Sequence, residues 1–309
     1  MRPVVLCSLL LCGSSGPFVR AVGPAPSGSA RVRAVVLGIA QDGGVPHIGC
    51  RQERCQAARR DPSRRERVAS LGLVDEDRRF LIDATPDLPS QIASLDPDRP
   101  AGRPIVDGIL LTHAHIGHYT GLMYLGREAL GASGVPVWAT PRMTRFLREN
   151  GPWSQLVALG NVALREMEPG QEVALTERLR VTAVRVPHRD ELSDTVGFRV
   201  QGPTRSLLYV PDIDSWERWD RRLPEEVARV DWALLDGTFE DPAELPGRSR
   251  AEIPHPLVSD TMSRLGAPPH PVLFIHLNHT NRLLGDGAAM RALMARGFAV
   301  ARDGQELEL

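Results

Sequence analysis

Three histidines stand close together in the middle of the chain, at His113, His115 and His118. They come directly after the apolar run Ile105–Leu111, which is typical of a buried strand. Imidazole is the commonest protein ligand for zinc and similar ions, and α/β sheets place their sites where strands end. Two histidines one residue apart can bind one ion, while the third faces a neighbouring ion. The pattern therefore predicts a metal site.

Three further polar residues stand where predicted strands end. They are His188 after Val181–Val186, Asp212 after Arg205–Val210, and His276 after Val272–Ile275. Each alone is more typical of a hydrogen-bonded structural residue. Together with the first three histidines they form a set of five histidines and one aspartate at strand ends. This is the ligand inventory of a two-metal hydrolytic centre.

The composition excludes several classes of function. The chain has 309 residues, a net charge of −1 and 42% apolar residues, which is typical of a folded protein rather than a disordered one. All 37 basic side chains are arginine, so a Schiff-base lysine and a P-loop are excluded. Without a net positive charge, nucleic acid is not an expected partner. We expect a small-molecule substrate, and the sequence does not determine the oligomeric state.

The N-terminal segment resembles an export signal. One positive charge at Arg2 precedes the apolar run Val4–Leu11, and Ala21 fits the last position before a cleavage site. We therefore expect residues 1–21 to be a signal peptide, residues 22–30 a flexible tether, and the protein to be periplasmic or secreted. A lipid anchor on Cys12 is not expected, because the usual small residue before it is replaced by leucine. No run reaches the ~20 apolar residues that a membrane span needs.

Predicted strands and helices alternate along residues 31–309. The predicted strands are Arg31–Ile39, Val68–Val74, Phe80–Ile82, Ile105–Leu111, Val135–Trp138, several short ones in Val162–Val200, Arg205–Val210, Val230–Leu235 and Val272–His276. The predicted helices are one that Thr85 caps with Pro86 at its first position, then Tyr119–Leu130, Pro141–Glu149, Pro256–Leu265 and Gly287–Arg296. This order predicts one α/β (α+β) domain with two sheets covered by helices on both sides.

The motifs in this order resemble the metallo-β-lactamase superfamily, and in particular its pyrroloquinoline quinone (PQQ) biosynthesis protein B branch. They are GIAQDGGVPHIGCRQERC at Gly38–Cys55, DATPD at Asp83–Asp87, THAHIGHYTGL at Thr112–Leu122, YVPD at Tyr209–Asp212, DGTF at Asp236–Phe239 and IHLNHTN at Ile275–Asn281. The resemblance covers nearly all of residues 31–309. It implies a four-layer αββα sandwich with metal ions at the sheet edge.

The resemblance also implies a ligand set. His113, His115 and His188 match the first metal site, Asp212 the bridging ligand, and His118 and His276 the second site. In the family motif HxHxDH, Gly117 of this chain replaces the aspartate. The second site should therefore be weaker, or the centre should hold one ion. We expect one or two zinc ions, with iron or manganese as alternatives.

A cysteine segment resembles a structural zinc site of related phosphodiesterases. Cys50 and Cys55 match the outer cysteines of C-x-C-x-x-C, but Gln52 replaces the middle one, and His279 is the candidate distant ligand. Three alternatives stay open for the two cysteines: a structural metal site, a disulfide and two free thiols.

Supporting roles follow from the same resemblance. His255 precedes a predicted helix, as a proton-donating histidine does in tRNA-processing relatives, and is a candidate donor to a leaving group. Asp83 and Asp236 end strands and are candidates to orient metal-bound imidazoles. Asp214 is an alternative to Asp212 as the bridging ligand. The segment Asp42–Gly44 is expected to form a flexible lip over the site.

We expect first an exported metal-dependent hydrolase that acts on an ester, lactone or phosphodiester bond. In this interpretation Asp212 orients the attacking water and His255 supplies a proton. The ligand set is richer than is typical of the PQQ branch, which favours hydrolysis. Two alternatives are a role in PQQ biosynthesis and a non-catalytic carrier of a small molecule, and the replacement at Gly117 favours the carrier.

Overall fold

The apolar runs of the sequence form the strands of two stacked sheets in the computed structural model. The structure describes residues 1, 31–97, 99, 102–247, 249, 252–285 and 287–309. The predicted leader and tether lie outside this part, except for residue 1. Within the described residues each sheet has seven strands, and Arg31–Leu309 form one compact unit. No helix in this part is long and apolar enough to cross a bilayer.

The first sheet has the strand order β14-β1-β2-β3-β4-β5-β6. Its strands are β1 (Arg33–Gly38), β2 (Ser70–Asp75), β3 (Arg78–Ile82), β4 (Gly108–Leu110), β5 (Val135–Ala139), β6 (Val162–Glu166) and β14 (Glu306–Glu308). The second sheet has the order β13-β12-β11-β10-β9-β8-β7. Its strands are β7 (Glu172–Ala174), β8 (Arg180–Arg185), β9 (Val196–Gln201), β10 (Ser206–Val210), β11 (Trp232–Asp236), β12 (Val272–Ile275) and β13 (Phe298–Val300).

Helices cover the outer face of each sheet. They are α1 (Glu53–Arg60), α2 (Leu88–Leu95), α3 (Ile116–Tyr119), α4 (Pro141–Glu149), α5 (Trp153–Ala158), α6 (Leu223–Ala228), α7 (Val258–Leu265) and α8 (Gly287–Ala295). Leucines of α2, α4 and α5 pack with the outer residues of the first sheet. Apolar residues of α6, α7 and α8 join the core of the second sheet. The predicted four-layer αββα sandwich is confirmed.

The largest core lies between the two sheets. Leu71, Leu73 and Phe80 of the first sheet belong to the same buried cluster as Phe198 and Tyr209 of the second. Each large apolar side chain that becomes fully buried stabilises the fold by about 1.5–3 kcal/mol. The two sheets therefore form a rigid base, and the loops at the strand ends are fixed relative to each other.

Two predicted helix boundaries are wrong, for identifiable reasons. Helix α2 begins at Leu88 with Asp87 as its N-cap residue, because the Leu88 N–H donates to the Thr85 carbonyl at 3.0 Å and residues 85–88 form a separate turn in which the Thr85 hydroxyl accepts from the Asp87 N–H. In place of one helix over Tyr119–Leu130, the short helix α3 continues into a 3₁₀ turn, Thr120–Leu125. Gly121 in this turn lies against the carbonyl oxygen of Thr85, where a Cβ atom would clash.

Candidate metal centre

All the strands that precede the candidate ligands run in one direction within their sheet. β3 and β4 are parallel, and β1 shares their direction because β2 is antiparallel to both of its neighbours. β10, β11 and β12 are parallel to one another. β8 runs in the same direction, because β9 between β8 and β10 is antiparallel to both. Side chains at the C-terminal ends of these strands thus collect at one edge. They are Asp42 after β1, Asp83 after β3, His113 after β4, His188 after β8, Asp212 after β10, Asp236 at the end of β11 and His276 after β12.

The first group of potential ligands consists of His113, His115, His188 and Asp212. His113 Nε2 lies 2.8 Å from His115 Nδ1, which lies 3.2 Å from His188 Nε2. The Asp212 carboxylate completes the group, with Oδ1 3.3 Å from His188 Nε2 and Oδ2 3.5 Å from His113 Nε2. A tetrahedral zinc ion with ligands about 2.0–2.1 Å away holds the ligand atoms about 3.3–3.4 Å apart. The three longer separations fit one ion, whereas His113 Nε2 and His115 Nδ1 are at hydrogen-bond distance.

The second group consists of Asp42, His118, Asp212 and His276. Asp42 Oδ1 lies 3.4 Å from His118 Nε2 and 3.3 Å from His276 Nε2. On the other side, Asp212 Oδ2 lies 3.4 Å from His118 Nε2 and 3.5 Å from His276 Nε2. Asp212 therefore belongs to both groups and stands where a bridging ligand would.

A carboxylate and a hydroxyl fix two imidazoles of the centre. Asp83 Oδ1 accepts hydrogen bonds from the N–H and the hydroxyl of Thr112, at 2.8 and 2.9 Å. Asp83 Oδ2 accepts from His118 Nδ1 at 2.8 Å. The Thr112 oxygen, having donated its proton, accepts from His113 Nδ1 at 2.9 Å. Both imidazoles thus carry their proton on Nδ1 and present the Nε2 lone pair to the centre.

The same arrangement recurs in the second sheet. The Thr238 hydroxyl donates to Asp236 Oδ1 at 2.7 Å and lies 3.0 Å from His276 Nδ1. Asp236 Oδ2 lies 2.9 Å from His255 Nδ1, so this carboxylate contacts the candidate proton donor directly and His276 only through Thr238. Asp214 Oδ1, 3.0 Å from His188 Nδ1, orients that imidazole and does not bridge.

Two of these residues have an unusual backbone conformation. Asp83 has φ 71° and His276 has φ 65°, in the left-handed region. Aspartate and histidine are enriched there among non-glycine residues, but the conformation still costs free energy. Each residue directly follows its strand, and the turn directs its side chain to the shared edge.

The electrostatics favour neutral imidazoles at His113 and His115 of the first group. Burial, together with the neighbouring His188, lowers the pKa of His115 to about 4. Burial likewise holds the pKa of His113 well below its usual range. Burial opposes ionisation of Asp212, but the surrounding imidazoles, His188 foremost, keep its pKa well below the usual value. His113 and His115 therefore offer lone pairs beside the negative charge of Asp212, as a divalent cation requires.

His118 of the second group and His255 have the opposite balance. Burial opposes protonation of His118, but the Asp83 and Asp212 carboxylates raise its pKa well above the usual value. Burial also opposes protonation of His255, but Asp236 and Asp212 raise its pKa to about 9. The carboxylates at this edge therefore attract positive charge, which a proton or a metal ion can supply.

Two buried atoms of the centre support a metal site directly. His118 Nε2 and Asp212 Oδ1 make no hydrogen bond of ordinary geometry to any described residue. Leaving such atoms unpaired in the interior costs about 1–3 kcal/mol each. A metal ion would satisfy both groups, and the donor set of imidazole nitrogens and carboxylate oxygens suits zinc. The residues present therefore fit the expected metal.

The cysteine segment lies outside these groups. Cys50 and Cys55 are free thiols, and burial raises the pKa of the Cys55 thiol. Among the described residues, no cluster with the spacing of metal ligands contains either cysteine or His279. The His279 ring instead stacks on His47, with the ring centres 4.3 Å apart. Within the part of the chain that the structure describes, the two cysteines are thus free thiols outside any group of three potential ligands.

The structure brings together all six ligands proposed from the sequence, with Asp83, Asp236 and His255 around them. It also places Asp42 among the candidate ligands, where the sequence led us to expect only a lip. The signal that could have found Asp42 is its position after β1, which runs in the same direction as β3. Thr112 and Thr238 were also missed, because a hydroxyl between a carboxylate and an imidazole leaves no sequence pattern.

We expect Thr238→Val to weaken zinc binding about 10- to 100-fold, because His276 loses the acceptor that fixes its orientation. The buried Nδ1–H left without a partner should also cost about 1–3 kcal/mol of stability. Zinc affinity is measured by competition with a chelator. The matched control is Thr261→Val, which removes a buried hydroxyl that accepts from Trp216 at 2.8 Å. Equal zinc affinities in the two variants would contradict the assigned role.

Known proteins resemble this chain along nearly its whole folded part. A family model described as "Beta-lactamase superfamily domain" matches residues 78–277. Coenzyme PQQ synthesis protein B of Pseudomonas aeruginosa (strain LESB58) is 30% identical, over 89% of this chain and 99% of that protein. The protein of the same name from Cupriavidus necator is also 30% identical, over 89% and 98%.

Solved structures agree with these similarities. Zinc-bound PqqB from Methylobacterium extorquens superposes with a TM-score of 0.76 at 25% identity, and covers 90% of this chain and 100% of that one. A diphosphatase described as a member of the PhnP family has a TM-score of 0.68 at 24% identity, over 90% of this chain and 97% of that one, and shows the same fold.

Proposed function

This chain belongs to the β-lactamase superfamily and, within it, to the coenzyme PQQ synthesis protein B family, and from this premise we propose that it acts in PQQ synthesis as a metal-dependent protein. The observation that carries the proposal is the extent of the similarity. It covers 99% of the Pseudomonas protein, so the whole domain is shared and not only a metal motif. A complete set of metal ligands at the strand ends supports a metal-dependent role.

Three groups of potential ligands are present among the described residues, the third being Asp236, His255 and His276, and the two that share Asp212 define which residues would hold metal. His113, His115 and His188 would bind one ion, His118 and His276 a second, and Asp212 would contact both. Zinc in such a site lowers the pKa of a bound water and polarises a substrate oxygen. The zinc-bound state of the Methylobacterium relative supports zinc as the first metal to test.

The residues around the centre supply binding and proton transfer. Two adjoining clefts of about 380 and 590 Å³ open beside His188 and His255. Three arginines and four aspartates line the first cleft, and Arg185 and Arg218 pair with Asp194 and Asp214, so the cleft offers both signs of charge to a polar small molecule. His255 holds a proton at neutral pH, because its pKa of about 9 is set by the adjacent carboxylates. It is therefore placed to donate that proton to a substrate in the second cleft.

Hydrolysis, the first expectation from the sequence, is the second candidate here. The similarity to PQQ synthesis proteins favours a role in PQQ synthesis over hydrolysis. The observation that still favours hydrolysis is the buried, protonated His255 beside Asp212, with Nδ1 3.2 Å from Oδ1. A panel of esters, lactones and phosphodiesters tests this candidate with the zinc-loaded protein. The predicted export stays a prediction.

Genetic complementation tests the proposed function. In a PQQ-producing bacterium that lacks its own protein B, the chain should restore PQQ, measured by mass spectrometry. The His115→Ala variant should lower the yield at least about tenfold, because it removes a candidate metal ligand. The chain is expressed both with and without residues 1–21, the predicted signal peptide. A failure to restore PQQ that is due to the wrong cellular compartment can then be told apart from a lack of activity.

Two outcomes would contradict the proposal. One is a folded, zinc-loaded chain that restores no PQQ in either location. The other is a His115→Ala variant as active as the unchanged chain, which would make the role independent of metal.

A further inference from the structure

The position of the missing motif aspartate, Gly117, lies against an aspartate from another segment, Asp42. Gly117 stands where the motif HxHxDH has an aspartate. A Cβ atom built on Gly117 would lie 2.7 Å from both Cα and Cγ of Asp42, and closer still to Asp42 Oδ1. Real Cβ atoms essentially never come so near. The carboxylate of Asp42, 75 positions earlier in the chain, therefore occupies the space that a side chain at position 117 would fill.

We propose that Asp42 is the anionic ligand of the second metal group in place of the missing motif aspartate, and that Gly117 is required to make room for it. The inference rests on the metal binding in the proposed function, but not on the role in PQQ synthesis. The proposed ligand Asp42 lies in the loop after β1, whereas the aspartate of the family motif would stand at position 117, after β4.

The distances within the second group are compatible with ligands of one metal ion, and Asp42 Oδ1 is also within hydrogen-bond range of His276 Nε2 at 3.3 Å. Asp42 Oδ1 lies between two imidazole nitrogens, 3.4 Å from His118 Nε2 and 3.3 Å from His276 Nε2. Asp212 Oδ2 faces the same two nitrogens at 3.4 and 3.5 Å. All four separations match the spacing of about 3.3–3.4 Å around a tetrahedral zinc ion. They exceed the 2.7–2.9 Å that is typical of a charge-assisted hydrogen bond.

The backbone holds Asp42 in this position from both sheets. Ala40 forms isolated bridges to Val68, just before β2 of the first sheet, and to Leu277, just after β12 of the second. The Gln41 N–H donates to the Leu277 carbonyl at 2.9 Å, directly after the ligand His276. The Gly44 N–H then donates to the Gln41 carbonyl at 2.7 Å, which closes a tight turn with Asp42 inside it. The loop that we expected to be flexible is therefore an anchored turn.

The exchange conserves the charge of the second group. A carboxylate at position 42 replaces a carboxylate at position 117, and both would face His118 and His276. The motif alone predicts a weaker second site or a single ion. With Asp42 as a ligand, the second group keeps two imidazoles and two carboxylates, and we expect two zinc ions of similar affinity per chain.

The metal content of single and paired variants tests whether Asp42 replaces the motif aspartate of position 117 as a ligand. The variants are Asp42→Asn, Asp42→Gly, Gly117→Ala, and Asp42→Gly combined with Gly117→Asp. Zinc per chain is measured by elemental analysis after dialysis against buffered zinc, and cobalt is substituted to record the absorption of each site. The unchanged chain should hold two ions. Asp42→Asn keeps the shape of the side chain, and both Asp42 variants should hold one ion.

The Gly117 variants separate the ligand from its surroundings. Gly117→Ala should also lose the second ion, because the added methyl group displaces the Asp42 carboxylate. The paired variant restores a carboxylate at the motif position and should bind more zinc than Asp42→Gly alone. Matched controls are Gly151→Ala, where a Cβ has open space, and Asp220→Gly, whose side chain is 79% exposed. Both should keep two ions.

The outcomes distinguish this inference from the proposed function. If folded Asp42→Asn protein keeps two ions with unchanged cobalt spectra, the inference is wrong, whatever the chain does in PQQ synthesis. If the unchanged chain binds one ion only, the inference is also wrong. If Asp42 variants lose one ion while the unchanged chain restores no PQQ, the inference stands and the proposed function falls. Circular dichroism and melting of the metal-free variants identify any that fail to fold.

Discussion

Asp212→Asn is expected to remove both metal ions, so that zinc falls from two ions per chain to less than one. Asp212 is the one residue common to the two groups. Its Oδ1 lies 3.3 Å from His188 Nε2, and its Oδ2 lies 3.4 Å from His118 Nε2. Asparagine has nearly the same volume, so packing is preserved while the negative charge between the two groups is lost. We expect zinc affinity to fall by about 100-fold or more, beyond the usual effect of residues that only orient ligands.

The measurement combines zinc content with thermal unfolding. A metal at about 1,000 times its Kd stabilises a protein by about 4 kcal/mol. The unchanged chain should therefore melt at a higher temperature with zinc, and Asp212→Asn should not. The control is Asp75→Asn, a buried carboxylate paired with Arg178. Asp75 ends β2, which is antiparallel to β1 and β3, and so lies at the opposite edge.

The control variant should lose stability in the metal-free state and keep its response to zinc. If Asp212→Asn retained two tightly bound ions, Asp212 would not be a ligand, and the two groups would not form one centre. If both variants lost the response, the effect would be general destabilisation rather than loss of a ligand.

Much of the centre could be predicted because its ligands follow strands. Periodicity identifies buried strands, and polar residues at their ends are conspicuous, as with Asp212 after β10 and His276 after β12. The motif around His113 then indicated the superfamily and hence the four layers. Helix boundaries were less predictable, because Gly121 is fixed by its approach to Thr85 in another segment.

What the sequence does not reveal are relations between distant segments. Asp42 enters the centre only because β1 and β12 bring the turn after β1 next to His276. The exchange with Gly117 is a property of the space between two loops, and no spacing along the chain encodes it. The roles of Thr112 and Thr238 are likewise not visible in the sequence. Each hydroxyl connects a carboxylate to an imidazole, and only the fold brings these groups within reach of each other.

Asp83→Asn is expected to remove the second ion selectively and to leave the first. Asp83 is fully buried and accepts the Nδ1 proton of His118 at 2.8 Å. Asparagine can still accept from Thr112 through its oxygen, so His113 keeps its orientation. Its amide group would then face His118 and donate to Nδ1. His118 would have to carry its proton on Nε2, the atom that faces the second group, and could no longer bind a metal there.

The expected result is one zinc ion per chain for Asp83→Asn, against less than one for Asp212→Asn and two for the unchanged chain. Stability without metal should fall by about 1–3 kcal/mol, because a buried hydrogen bond to a carboxylate is lost. Nitrogen-15 NMR of the His118 ring distinguishes the two tautomers. A zinc content of two, or an Nδ1–H tautomer in the variant, would contradict the prediction. Selective loss would show that Asp83 positions His118 through one proton, and that the two groups can be emptied independently although Asp212 joins them.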